Sequence, residues 1–227
     1  MRDLALHALG FAPPALTDGD RLEHAAADAP AAWQALWTSE DATRALGPVF
    51  EPRVLFPGAF NPLHEGHRAI AKWVATRLRR PVTFEICITN VDKPPLDCLD
   101  LEARLARFRP EESVWLTRLP TFVEKAGAFG GATFVVGTDT IVRIADPRYY
   151  GGRTSARDAA IARIAATSSR FLVFGRLVDD RFVTLPDLDL PAALVAICEG
   201  VSEAEFRQDV SSTALRHLGS DPIWRNN

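Results

Sequence analysis

From Arg53 onward, short apolar runs rich in Val, Ile and Phe alternate with stretches of helical spacing, and this alternation limits the possible folds more than any other feature. In chain order the segments are "RVLF", "GHRAIAKWVATRL", "VTFEICI", "LEARLARF", "VWLTRL", "TFVVG", "IVRIA", "ARDAAIARIAA" and "RFLVFG". Branched and aromatic side chains suit a pleated, buried strand, and strands separated by helices are joined as βαβ units. The pattern predicts an α/β fold with a parallel sheet and helices on both faces. In such sheets ligands bind beyond the carboxyl ends of the strands.

Residues 1–47 are different. They are Ala-rich and show helical spacing at Leu22, Ala25 and Ala26 and again at Trp33, Leu36 and Trp37, with a break at Pro13–Pro14. We read 1–47 as a helical N-terminal extension, covering a sheet edge or making an oligomer contact, and 48–227 as the main domain. The 47% hydrophobic content is enough for one sizeable core. A net charge of −3 and a pI near 6.0 supply no global basic field, so neither nucleic acid nor an anionic membrane is an expected partner. Any anion site must be local. Cys87, Cys98 and Cys198 are odd in number and lack CxxC spacing, which predicts reduced thiols rather than a structural metal. No apolar run is long enough for a signal peptide or a span, so the expected location is cytoplasmic.

The segment "PGAFNPLHEGH", residues 57–67, falls where "RVLF" ends, at the carboxyl end of an expected strand. Gly58 lets the backbone turn and approach a ligand, Pro62 stiffens the loop, and Gly66 leaves space at the start of the next helix. His64 and His67, three apart at a helix start, can share a face and point at one object. A helix N-terminus offers unpaired N–H donors and a partial positive charge, which suits a phosphate. Two histidines at this spacing can also ligate a metal, but no third ligand of suitable spacing follows, so no protein-held metal is expected.

"GAFNPLHEGH" resembles the G-x-F-x-P-x-H-x-G-H signature of the nucleotidylyltransferase superfamily, which includes nicotinamide mononucleotide adenylyltransferases, pantetheine-phosphate adenylyltransferases and cytidylyltransferases. Near the C-terminus, "VSSTALRHL" resembles the same superfamily's I-S-S-T-x-x-R motif, with Val210 in place of Ile. Taken alone, Ser211, Ser212 and Thr213 are good helix caps, with Arg216 one turn in. "FVVGTDT" resembles the G-x-D of the mononucleotide adenylyltransferases, and "FLVFGR" the strand that ends there in an arginine. The layout is closest to that type. However, "DPRYYGG" replaces the tryptophan-bearing stretch expected for stacking on nicotinamide, leaving Tyr149 and Tyr150 as substitutes.

The resemblance implies a Rossmann-like domain that transfers a nucleotidyl group, with ATP the expected donor, to a phosphorylated small molecule such as nicotinamide mononucleotide, releasing pyrophosphate. It places His64 and His67 on the α and β phosphoryl oxygens, Lys93 in "NVDKPPL" on the acceptor phosphate, and Arg216 with the Ser-Ser-Thr cap on the departing pyrophosphate. It also assigns Gly58, Phe60, Gly137, Asp139 and Arg176 to nucleotide binding, with Mg²⁺ carried by the triphosphate. Arg104 is left without a role. The alternatives are a cytidylyltransferase acting on a sugar or polyol phosphate, and a nucleotide-binding module that does no chemistry.

Overall fold

The computed structural model describes residues 30–38, 42–48, 51–89, 91 and 95–207. Among them the elements follow in the order α1 (Ala31–Thr38), β1 (Thr43–Leu46), β2 (Val54–Pro57), α2 (Glu65–Leu78), β3 (Thr83–Cys87), α3 (Cys98–Leu105), β4 (Ser113–Thr117), α4 (Phe122–Ala128), β5 (Thr133–Gly137), α5 (Thr138–Ala145), α6 (Thr154–Ala166) and β6 (Arg170–Phe174). A small hairpin, β7 (Arg176–Val178) and β8 (Arg181–Val183), then leads through α7 (Ala192–Val195) to β9 (Cys198–Val201).

Each apolar run named in the sequence as strand-like became a strand or, for "IVRIA", part of α5. Seven strands form one sheet in the order β1-β4-β3-β2-β5-β6-β9. All neighbours are parallel except β1 with β4. This is the expected Rossmann-like α/β architecture, with one correction at its edge. Thr43–Leu46, which fell inside the segment read as helical, pairs antiparallel with β4 as an outer strand. The helical spacing at Trp33 and Leu36 does hold: both are buried on α1, packed into the main core.

Alternation within the strands divides the core in two. Val54, Phe56, Phe84, Ile86, Val114 and Leu116 face one side, with Ala71 and Val74 of α2 and Leu101 of α3. Leu55, Phe134, Val136, Phe171 and Val173 face the other, with Ile141 and Ile144 of α5 and Ile161 and Ile164 of α6. The chain builds β2, β3 and β4 in one direction and then β5, β6 and β9 in the other. Sequential growth reverses between β2 and β5, and α2 and α5, which follow those strands, go to opposite faces. A crevice therefore opens at their N-termini, as expected at such a switch point. No helix among the described residues is long and apolar enough to cross a membrane.

One polar cluster interrupts the apolar sheet. Glu85 in β3 is 1% exposed, and its Oε1 accepts hydrogen bonds from Lys125 Nζ of α4 and Thr117 Oγ1 of β4, both at 2.5 Å. Removing one member of a buried pair strands the other charge in a low-dielectric site. Lys125→Met is expected to cost about 3–5 kcal/mol in chemical denaturation, while Lys125→Met with Glu85→Leu recovers most of that loss.

Candidate active site

The loop after β2 is built from residues with unusual backbone demands. Gly58 N–H donates to the Glu85 carbonyl at 3.0 Å, extending the β2–β3 pairing by one residue. Phe60 follows with φ +45°, in the left-handed region, and the Asn61–Pro62 peptide is cis. A Cβ on Gly58 would lie 2.7 Å from the Phe60 ring. The glycine is thus required by the packing of Phe60, a reason different from the close ligand approach expected of it. Phe60 is likewise placed differently: at 2% exposure its ring is core, set edge-on against His67 at 5.0 Å and against Phe56, Phe84 and Phe108. It supports His67 from below and presents no surface to a ligand.

His64 is the N-cap of α2. Its Nδ1 accepts the Gly66 N–H at 3.1 Å, while its own backbone N–H donates to His67 Nδ1 at 3.2 Å. This reciprocal capping box leaves neither Nδ1 available to carry a proton. In a neutral imidazole the remaining proton then resides on Nε2, making that atom a donor on each ring. The rings stack with centroids 3.7 Å apart and planes tilted by 32°. Burial lowers the His67 pKa to about 3, with the His64 and Arg68 charges adding to the effect. Burial also lowers that of His64, opposed by the Glu65 carboxylate. Both rings are therefore neutral donors near pH 7. Arg68, in the same helical turn, is committed elsewhere: it bonds Glu112 at 2.9 Å, Glu65 at 2.8 Å and the Arg107 carbonyl at 2.7 Å.

Across the crevice, Gly137 is the N-cap of α5 and makes no side-chain cap bond. Asp139 lies in the first turn of that helix. Its Oδ2 pairs with Arg176 Nη1 at 3.2 Å, each side chain about half exposed. The two residues, both expected at the nucleotide, thus meet each other at the adjacent ends of β5 and β6. Tyr150, offered above as a stacking residue, closes a 3-10 turn and donates its hydroxyl to the Ile144 carbonyl at 3.0 Å. Lys93, Ser211, Ser212, Thr213 and Arg216 lie outside the described residues. The structure accordingly brings together Gly58, Phe60, His64 and His67 on one side of the switch point and Gly137, Asp139 and Arg176 on the other.

Two contributors were missed. Arg104 of α3 is 9% exposed and donates from Nη1 to the Ala59 carbonyl at 2.7 Å. Its spacing of three from the fully buried Leu101, which places it on the inward face of α3, was the available signal. Glu85, the other, holds Gly58 through its backbone and Lys125 through its side chain.

The family model for cytidylyltransferase-like proteins matches residues 55–218, from within β2 through the end of "VSSTALRHL". The chain belongs to the cytidylyltransferase-like family. A search of curated proteins finds no match. Membership suggests nucleotidyltransferase activity, and the cytidylyltransferase-like domain carries its histidine pair at the switch point of the sheet.

The lowered histidine pKa values fix a sign for stability. Between the ordinary value of 6.5 and the folded value near 3, the unfolded chain binds protons that the folded chain refuses at His67. Stability is therefore retained above pH 6.5 and lost as pH falls toward 3, by at most about 1.4 kcal/mol per pH unit for each such group. His67→Asn, whose Oδ1 can accept the His64 N–H in place of Nδ1, is expected to flatten that slope when urea midpoints are compared between pH 7 and pH 4.

Proposed function

We propose that this protein transfers a nucleotidyl group from a nucleoside triphosphate, with ATP as the donor, to a phosphorylated small-molecule acceptor and releases pyrophosphate. The observation that carries this reading is the pair of Nε2 donors at the N-terminus of α2, both fixed by backbone bonds to the opposite ring nitrogen. In this reaction an acceptor phosphate oxygen attacks the α-phosphorus. One P–O bond forms, the bond from the α-phosphorus to its bridging oxygen breaks, and the electron pair leaves with pyrophosphate. Charge accumulates on phosphoryl oxygens, so positioning and fixed donors do most of the work.

On this reading His64 and His67 donate to the α and β phosphoryl oxygens without exchanging a proton, aided by the positive end of α2. Neutral imidazoles suit the role, because they need no reprotonation between turnovers. Arg176, now paired with Asp139, would meet phosphate oxygens, leaving Asp139 and Gly137 to the ribose or base. Lys93 would hold the acceptor phosphate, and Arg216 with Ser211, Ser212 and Thr213 the departing pyrophosphate. Mg²⁺ arriving with the triphosphate would neutralise charge through phosphate oxygens and water. Among the described residues no three His, Cys, Asp or Glu side chains gather into a group that could hold a metal ion. Nicotinamide mononucleotide is the acceptor favoured by the "GTD" and "FLVFGR" layout, and no nucleic acid or membrane partner is part of the proposal.

The test is pyrophosphate release with Mg²⁺, crossing ATP and CTP against nicotinamide mononucleotide, phosphopantetheine and sugar or polyol phosphates. Release is expected with one combination, and His67→Asn, which keeps the cap bond but lacks the Nε2 donor, is expected to lower it about 10²- to 10³-fold. The rate should show no inflection near pH 6.5 from His67. Nucleotide binding without release in any combination would replace this proposal with a binding module.

A further inference from the structure

The Gly58–Leu63 loop sets where α2 begins and hence where both histidine rings lie. On one side it is tied by Gly58 N–H to the Glu85 carbonyl, a bond that belongs to the sheet. Below, Phe60 anchors it in the core with a left-handed backbone. Between those two points lies the Ala59 carbonyl, and the side chain that meets it is Arg104, from a different helix. A guanidinium held at 9% exposure is costly unless hydrogen-bonded, so a donor there acts as a fixed strut and not as a solvated charge.

We propose that Arg104 is a positioning residue: its bond from Nη1 to the Ala59 carbonyl holds the loop in the conformation that stacks His64 on His67 and points their Nε2 donors into the crevice. The catalytic consequence rests on the function proposed above, whereas the geometric claim does not. Arg104 touches no reacting atom on this account. It acts through three bonded steps, from guanidinium to Ala59, along the loop to His64, and through the cap to His67. A displacement of about 1 Å at such a site costs on the order of 100-fold in rate.

The experiment uses the full chain labelled with ¹⁵N-histidine and reads the tautomer of each ring at neutral pH from long-range ¹H–¹⁵N correlations. The five histidines are assigned with His64→Asn and His67→Asn. In the wild type both site rings are expected in the pure Nε2-protonated form. Arg104→Gln is expected to give mixed tautomers at both, and Arg104→Lys, which keeps a donor and the charge, to restore the pattern in part. Glu65 and Arg68, the charged neighbours of the two rings, are unchanged in these variants, and the tautomer ratio reports hydrogen bonding, not net charge. Leu101→Ala on the same helix is the control: it loosens α3 and lowers the melting temperature, but the histidine pattern should stay pure. Where pyrophosphate release is measurable, Arg104→Gln should lower it about 100-fold and Leu101→Ala should not.

Pure Nε2 tautomers in folded Arg104→Gln would overturn the proposal, whatever the activity. If that variant does not fold, the wild type decides. A slowly exchanging Arg104 Nη proton with scalar coupling to the Ala59 carbonyl carbon is then expected, and its absence overturns the proposal equally. Failure of the enzymatic reading would leave the tautomer results intact, so the two can fail separately.

Discussion

Two hydrogen bonds at the start of α2 carry the site. A helix N-terminus needs acceptors for its orphan N–H groups, and serine or aspartate usually supplies them. Here histidine does so from Nδ1, at His64 for Gly66 and at His67 for the His64 amide. A serine cap would satisfy the helix equally well and leave nothing over. An imidazole cap satisfies the helix with one nitrogen and keeps a second, oppositely directed donor. The requirement of the fold therefore selects the Nε2–H tautomer of both rings, and burial lowers the pKa of each of the closely stacked imidazoles.

The rest of the molecule places that cap. The reversal of strand order between β2 and β5 sends α2 and α5 to opposite faces and leaves their N-termini on either side of one crevice. On the α5 side Asp139 and Arg176 form an exposed ion pair, which is weak in water and readily exchanged for a stronger anion. On the α2 side the supports are buried: Phe60 under His67, the Glu85 carbonyl on Gly58, and Arg104 on Ala59. The two walls thus differ in stiffness, one held by core packing and the other by a solvent-exposed contact.

Much of this was legible in the chain because two periodicities are hard to confuse over long segments. Strand runs such as "RFLVFG" and the fourteen-residue α2 took their expected forms. Strand β1 was not legible: "TRAL" carries no apolar alternation, and its place is set by pairing with β4, a partner distant in sequence. The signature around His64 identified the right loop but not the duty of each residue in it. Phe60 and Gly58 are fixed by each other's packing, a relation that a motif records without explaining. Nothing local to Lys125 announces that Glu85, forty residues earlier, lies beneath it. For Arg104 the spacing from Leu101 marks the inward face of α3, but its partner, the Ala59 carbonyl, is forty-five residues away and invisible in the pattern.

Helix α2 spans about 21 Å from the capped histidines to its far end. There Trp73 packs edge-on against Phe174 of β6, Arg77 lies 5.3 Å over the Trp73 ring, and the same guanidinium reaches Glu199 of β9 and Glu205 beyond it. The helix is therefore a beam clamped at both ends. Any tilt of its histidine end must shear an aromatic joint on β6 and two ion pairs, one on β9 and one just beyond it. A mutation at that strand, far from the crevice, would be felt as a change of aim at the histidines.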